Sequence, residues 1–166
     1  MNVSKPILAV LAVAVALVAC ERTGGPIVRD AGRVTFGDDE NYHDFGDYVI
    51  QVTALTTDHL PAEVAREYGI QRSETRAFLN VVILKKAPDG EVDRPVTGIV
   101  TTVASNLAGQ VKSFPLREII EEGGAGIYYI GEASITKDEI LIFDIDVTPD
   151  GEDDTIRIRY QEQFDG

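Results

Sequence analysis

The last part of the chain constrains the fold most. Within Ile140–Thr148, apolar Phe143, Ile145 and Val147 alternate with Asp144, Asp146 and Thr148. Within Thr155–Gln163, Ile156, Ile158 and Tyr160 alternate with Arg157 and Arg159. A period of two marks a strand with one face in a core. Asp150-Gly151 between the runs is turn chemistry. Folding about Pro149–Asp154, and pairing residues whose numbers sum to 303, sets Val147 against Ile156, Ile145 against Ile158 and Phe143 against Tyr160. The opposite face then pairs Asp146 with Arg157 and Asp144 with Arg159. A slip of one residue would mix core with solvent. An exposed ion pair adds only about 0.2–1 kcal/mol, so the apolar face sets the register.

The rest of the domain reads the same way. Strands are predicted at Tyr48–Leu55, Ala77–Lys86, Val96–Ser105, Gln110–Leu116 and Gly126–Ile135, rich in Val, Ile, Thr, Tyr and Phe. Pro88-Asp89-Gly90 and Gly123-Gly124 supply turn signals. One short helix is expected near Pro61–Tyr68, with Pro61 at its first turn and Gly69 at its end. About seven strands with few helices predict an all-β fold, an antiparallel immunoglobulin-like β-sandwich.

Toward the other end, Lys5 precedes an uncharged apolar run from Pro6 to Ala19. The run suits a signal peptide and falls short of the roughly 20 residues that span a bilayer. It stops at Leu17-Val18-Ala19-Cys20, and Cys20 is the only cysteine among 166 residues. This junction resembles the bacterial lipobox. The resemblance implies cleavage after Ala19, lipidation of Cys20 and a membrane anchor through acyl chains worth about 0.8 kcal/mol per buried methylene. With Glu21 rather than Asp after the cysteine, it further implies a periplasm-facing location in the cell envelope, with the outer membrane favoured. A lipidated Cys20 leaves no disulfide, so the domain must rely on its core.

These features divide the chain into a signal peptide (1–19), a lipidated cysteine with a flexible acidic tether (20–44) and a sandwich domain (45–166). Gly24-Gly25-Pro26 and the acidic Asp38-Asp39-Glu40 suggest the tether. The net charge of −13, from 28 acidic against 15 basic side chains, argues against nucleic acid as a partner.

Two blocks give the domain a family resemblance. One runs from Phe45-Gly46-Asp47-Tyr48 through Leu60-Pro61-Ala62-Glu63-Val64-Ala65-Arg66-Glu67-Tyr68-Gly69-Ile70-Gln71-Arg72-Ser73 to Phe78-Leu79-Asn80-Val81. The other runs from Phe114-Pro115-Leu116-Arg117-Glu118 through Ile127-Tyr128-Tyr129 and Phe143-Asp144-Ile145 to Arg159-Tyr160-Gln161-Glu162-Gln163-Phe164. Together they resemble the proteobacterial family known as domain of unknown function 4426. That resemblance implies a small exported β-sandwich with no established activity, and it assigns no catalytic residue. The Glu121–Gly126 loop is slightly expanded relative to the family.

Candidate chemistry is sparse. Asp144 and Asp146 could serve as an acid/base pair or a Ca²⁺ site, but an arginine opposite each favours structural charge pairs with Arg157 and Arg159. Asp150-Gly151-Glu152-Asp153-Asp154 lacks EF-hand spacing and reads as a hairpin tip. Glu121-Glu122-Gly123-Gly124-Ala125-Gly126 lacks the lysine and following helix of a phosphate loop. His43 and His59 could join Asp38, Asp39 or Asp44 in a metal site, though no spacing motif supports one. Ser73, Ser105, Ser113 and Ser134 have no nucleophile motif around them. Thus the sequence predicts no enzyme, no cofactor and no resident metal. The expectation is an envelope module that binds another protein or stabilises a complex; the alternative is a metal- or small-ligand-binding periplasmic module. The loops at Thr56–His59 and Asn106–Gly109 are open as a binding edge.

Overall fold

A computed structural model describes residues 28–36, 41–88 and 91–165. Two sheets pack face to face. Strands β3 (Tyr48–Thr56), β4 (Arg76–Lys85), β9 (Ile127–Ser134) and β8 (Leu116–Ile120) lie side by side in that order, with β2 (Tyr42–Phe45) added at the β3 edge. Facing them are β11 (Thr155–Phe164), β10 (Glu139–Pro149), β6 (Gly98–Asn106) and the two-residue β7 (Val111–Lys112), with β1 (Val28–Phe36) outside β11. The short β5 (Arg94–Pro95) pairs with β4. The main strands reproduce the A-B-E-D and G-F-C order of an immunoglobulin constant-type sandwich.

Between the sheets lies the core. Strand β3 buries every second residue from Tyr48 to Thr56, and β10 does the same from Leu141 to Pro149. Phe143 is the aromatic hub, 5.2 Å from Phe114 edge-on and 6.4 Å from both Tyr160 and Phe164. The last hairpin takes the register whose residue numbers sum to 303, and holds it from Glu139↔Phe164 to Val147↔Ile156. On its solvent face Arg159 donates to Asp144 through Nε at 2.6 Å and Nη2 at 2.9 Å, and Arg157 Nε donates to Asp146 at 2.9 Å.

Helix α1 (Ala62–Glu67) adds a third layer on the outside of the β4–β9 sheet. Leu60, Ala65 and Ile70 pack there against Phe78 and Ile130. This explains the nearly continuous burial of β4, whose two faces are both covered.

The structure corrects several boundaries. The segment 20–44, read as flexible tether, contains β1 and the start of β2. Strand β1 lies parallel to β11, with Val28 opposite Thr155 and Phe36 opposite Gln161. A strand joining a formed edge by backbone bonds needs no clean alternation of its own, so its sequence does not announce it. Strand β2 begins at Tyr42, three residues ahead of the expected domain start at 45; His43 is buried while its polar neighbours hide the pattern. The expected strand Gln110–Leu116 is two strands. Phe114 enters the core and Pro115 lacks an N–H, so the chain leaves one sheet after β7 and joins the other at β8. Among the described residues the seven strands of the sandwich are joined by four additions, β1, β2, β5 and β7. Cys20 and the leader lie outside the described residues.

Glu139 ties three connections together. Its side chain, 8 % exposed, accepts from Lys112 Nζ at 2.8 Å and the Thr136 N–H at 2.8 Å, with Asn106 Nδ2 at 3.3 Å. Burial pushes its pKa up, but the bonds from Lys112, Thr136 and Asn106 outweigh this and hold it below the usual glutamate value. A depressed folded-state pKa stabilises the fold above the ordinary value near 4.5, and that contribution fades as acid titrates the folded carboxylate. Glu139→Gln is therefore expected to lower stability by about 1–3 kcal/mol at neutral pH. Chemical melts should show the gap to the unsubstituted protein narrowing as pH falls below 4.5.

Candidate functional site

Two surface features stand out. The first is a cleft of about 220 Å³ between the ends of β3 and β11, lined by Leu55, Thr56, His59, Glu162 and Phe164 among others. Thr56 Oγ1 and His59 Nδ1 share a hydrogen bond at 3.1 Å. The Tyr160 hydroxyl donates to Glu162 at 2.9 Å, and Gln163 Nε2 donates to Asp165 at 3.0 Å. The cleft thus presents an exposed imidazole and two carboxylates, whose hydrogen-bonding capacity is already partly used.

The second feature is the edge of β6. The chain carries no charge between Arg94 and Lys112, and β6 (GIVTTVASN) occupies the middle of that run. Its outer face shows Ile99 at 68 % and Val103 at 54 % exposure, and Val111 on β7 extends the stripe at 72 %. Strand β10 pairs with β6 along its whole length. On the other side β7 pairs only with Ala104 and Ser105. Among the described residues no strand pairs this side from Gly98 to Val103.

Gly98 shows which groups face the open side. Its N–H donates to the Tyr129 hydroxyl at 2.8 Å, and that hydroxyl donates to Glu118 Oε1 at 2.7 Å. Burial, reinforced by Glu118, holds the Tyr129 hydroxyl far above the ordinary tyrosine range, so it remains a donor. Backbone groups two residues apart point to the same side of a strand. Asn106 fits this parity, since its N–H donates to Gln110 O in the β6–β7 turn. The N–H and C=O of Val100 and Thr102 therefore face the open edge.

The residues singled out from sequence are scattered. His43 is buried on β2 opposite Ile50, whereas His59 lies beyond the far end of β3. At about 3.3 Å per residue they are roughly 20 Å or more apart, so the two histidines do not share a site. Asp44 is occupied by Lys86 Nζ at 2.6 Å and the Gly46 N–H at 3.1 Å, and Lys86 first, then Gly46, hold its pKa low. Asp38 and Asp39 lie outside the described residues. Among the described residues no three His, Cys, Asp or Glu side chains are placed to hold a metal.

Asp144 and Asp146 carry their arginines. At the hairpin tip, Asp150 accepts from Thr97 Oγ1 and Glu152 accepts from the Tyr48 hydroxyl at 2.9 Å. In the glycine-rich loop, Glu121 accepts from the Tyr68 hydroxyl at 2.9 Å. Burial and that carboxylate push Tyr68 up to about 12. In both loops these carboxylates already accept protein hydroxyls. Sequence reading missed the β6 edge, although its signal was present: a long uncharged run in a strongly acidic chain.

Fold and surface together define a class: an immunoglobulin-like sandwich domain whose uncharged strand β6 is largely unpaired on one side among the described residues. The comparisons specify the family. The model for Domain of unknown function (DUF4426) matches residues 42–165, and the chain belongs to that family. A crystal structure of a DUF4426 family protein from Pseudomonas aeruginosa is similar, at 28 % identity and a TM-score of 0.61. The match covers 75 % of this chain and 93 % of that one. No curated protein matches the chain.

Proposed function

We propose that this protein is a lipid-anchored, periplasm-facing envelope protein that works by binding another protein and carries out no chemistry itself. The open edge of β6 supports this reading most. Natural sheets protect edge strands with charge, proline or a cover, because bare edges recruit other strands. Here the exposed edge is apolar and uncharged in a chain of net charge −13. The leader ending at Cys20 supplies the anchor in this proposal, with the outer membrane favoured.

Cys20→Ser should abolish fatty-acid labelling and release the protein from the membrane fraction. In-cell cross-linking with mass spectrometry tests the binding role. A reproducible protein neighbour is expected; its absence removes the proposal.

The cleft at His59 favours a second reading, a small-ligand module. Under it, binding of a small cationic ligand would raise the melting temperature, and His59→Ala would erase that shift.

A further inference from the structure

Resting on the protein-binding reading, we propose that β6 is a docking strand. It takes an extended segment of the partner antiparallel to itself, continuing the line that β7 begins, and favours a basic residue at that segment's C-terminal side.

Strand β7 already sits where such a guest would start, with Lys112 opposite Ala104 and Val111 opposite Ser105. Past Lys112 the chain turns inward at Phe114, leaving Val103 to Gly98 without a strand partner on this side among the described residues. Backbone groups of Val100 and Thr102 face that row. A guest running antiparallel would exchange N–H and C=O bonds with both. Its alternate side chains would fall on the outer face beside Ile99, Thr101 and Val103. Gly98 closes the row, because its N–H is bonded to Tyr129. About five guest residues fit between these limits.

Geometry separates this guest from a second copy of the chain. Two β6 strands would satisfy each other by pairing Val100 with Thr102 across a twofold axis. That register sets Gly98 of the second copy opposite Ala104, where Lys112 already sits. Two copies at −13 each also repel.

Charge sets the direction of preference. Glu118 lies at the Gly98 end through Tyr129, and Asp150 is bonded to the adjacent Thr97. At the Ala104 end the carboxylate of Glu139 is neutralised by Lys112. An antiparallel guest has its C-terminal side at the Gly98 end, so lysine or arginine belongs there.

The test uses full-length protein in detergent and three acetylated, amidated peptides: Thr-Val-Thr-Val-Thr-Lys-Lys, the same core with Lys-Lys ahead of it, and the same core followed by Glu-Glu. The first is expected to bind at least tenfold more tightly than the third and more tightly than the second. It should slow amide exchange at Val100 and Thr102. Ile99→Lys/Val103→Lys should weaken it at least tenfold while leaving the melting temperature within a few degrees. No binding at millimolar peptide, no flank preference, or equal binding by the double variant overturns the docking strand. Cellular cross-links that persist in the double variant also overturn it, yet leave the protein-binding reading intact. Cross-links missing from the unsubstituted protein instead sink that reading.

Discussion

Ile158→Asp is expected to unfold the domain, while Arg159→Gln beside it costs less than about 1 kcal/mol. Ile158 is fully buried and faces Ile145 across β10, between Phe143↔Tyr160 and Val147↔Ile156. Truncating such a side chain alone costs about 2–5 kcal/mol. Aspartate adds an unpaired charge in an apolar interior, worth several kcal/mol more even after relaxation. The sum approaches the roughly 5–15 kcal/mol that holds a domain folded. Arg159 points the opposite way, with its side chain 55 % exposed and paired with an Asp144 that is 40 % exposed. Water screens that pair, and glutamine keeps the aliphatic stem. Circular dichroism melts of both variants suffice. Equal losses would mean the face assignment of β11 is wrong.

The contrast between these neighbours shows why so much of the fold is legible in the chain. From Phe143 to Thr148 and from Ile156 to Tyr160 each residue's chemistry matches its face, so one register serves both strands, and the alternation by itself is enough to pair them. Strands β3, β4 and β9 announce themselves instead by their Val, Ile, Leu, Phe and Tyr content, and α1 by Pro61 and Gly69 at its ends. Legibility fails where a strand forms because a neighbour offers an edge. Strand β1 joins β11, β5 joins β4, and the sheet change at Phe114-Pro115 depends on where the core is, not on local alternation. The site is less legible still. An open edge is a property of the assembled sheet. The uncharged run around β6 hints at it, but the two-residue length of β7 is what leaves the rest of that edge unpaired among the described residues. The separation of His43 and His59 is set the same way, by the length of β3 lying between them.

Gly98→Val is expected to cost about 3 kcal/mol and to loosen the β6 edge together with the fold. A Cβ at this position would lie 2.6 Å from Thr148 O, 2.8 Å from Ile83 Cδ1 and 2.9 Å from the Pro149 Cα. Two of those three atoms are backbone of β10, so the contact cannot be relieved by a rotamer change alone. Strand β6 must move away from β10 at the point where Gly98 pairs with Pro149. That displacement also disturbs the Gly98 bond to Tyr129, a link between the two sheets. Overpacking of this kind costs about 1–3 kcal/mol, and a weakened buried hydrogen bond adds about 1 kcal/mol. Gly46→Ala is the control. Gly46 has φ of +74°, and a methyl group there would meet nothing within 4 Å, so its substitution costs only the left-handed backbone penalty of about 1–2 kcal/mol. Denaturant melts give both losses, and amide exchange separates their causes. With Gly98→Val, exchange should speed up along β6 and at the facing residues of β10. With Gly46→Ala, it should change only around the β2–β3 turn. If the two substitutions cost the same and exchange at β6 is unaltered, the close approach of β6 to β10 is not what makes glycine necessary there.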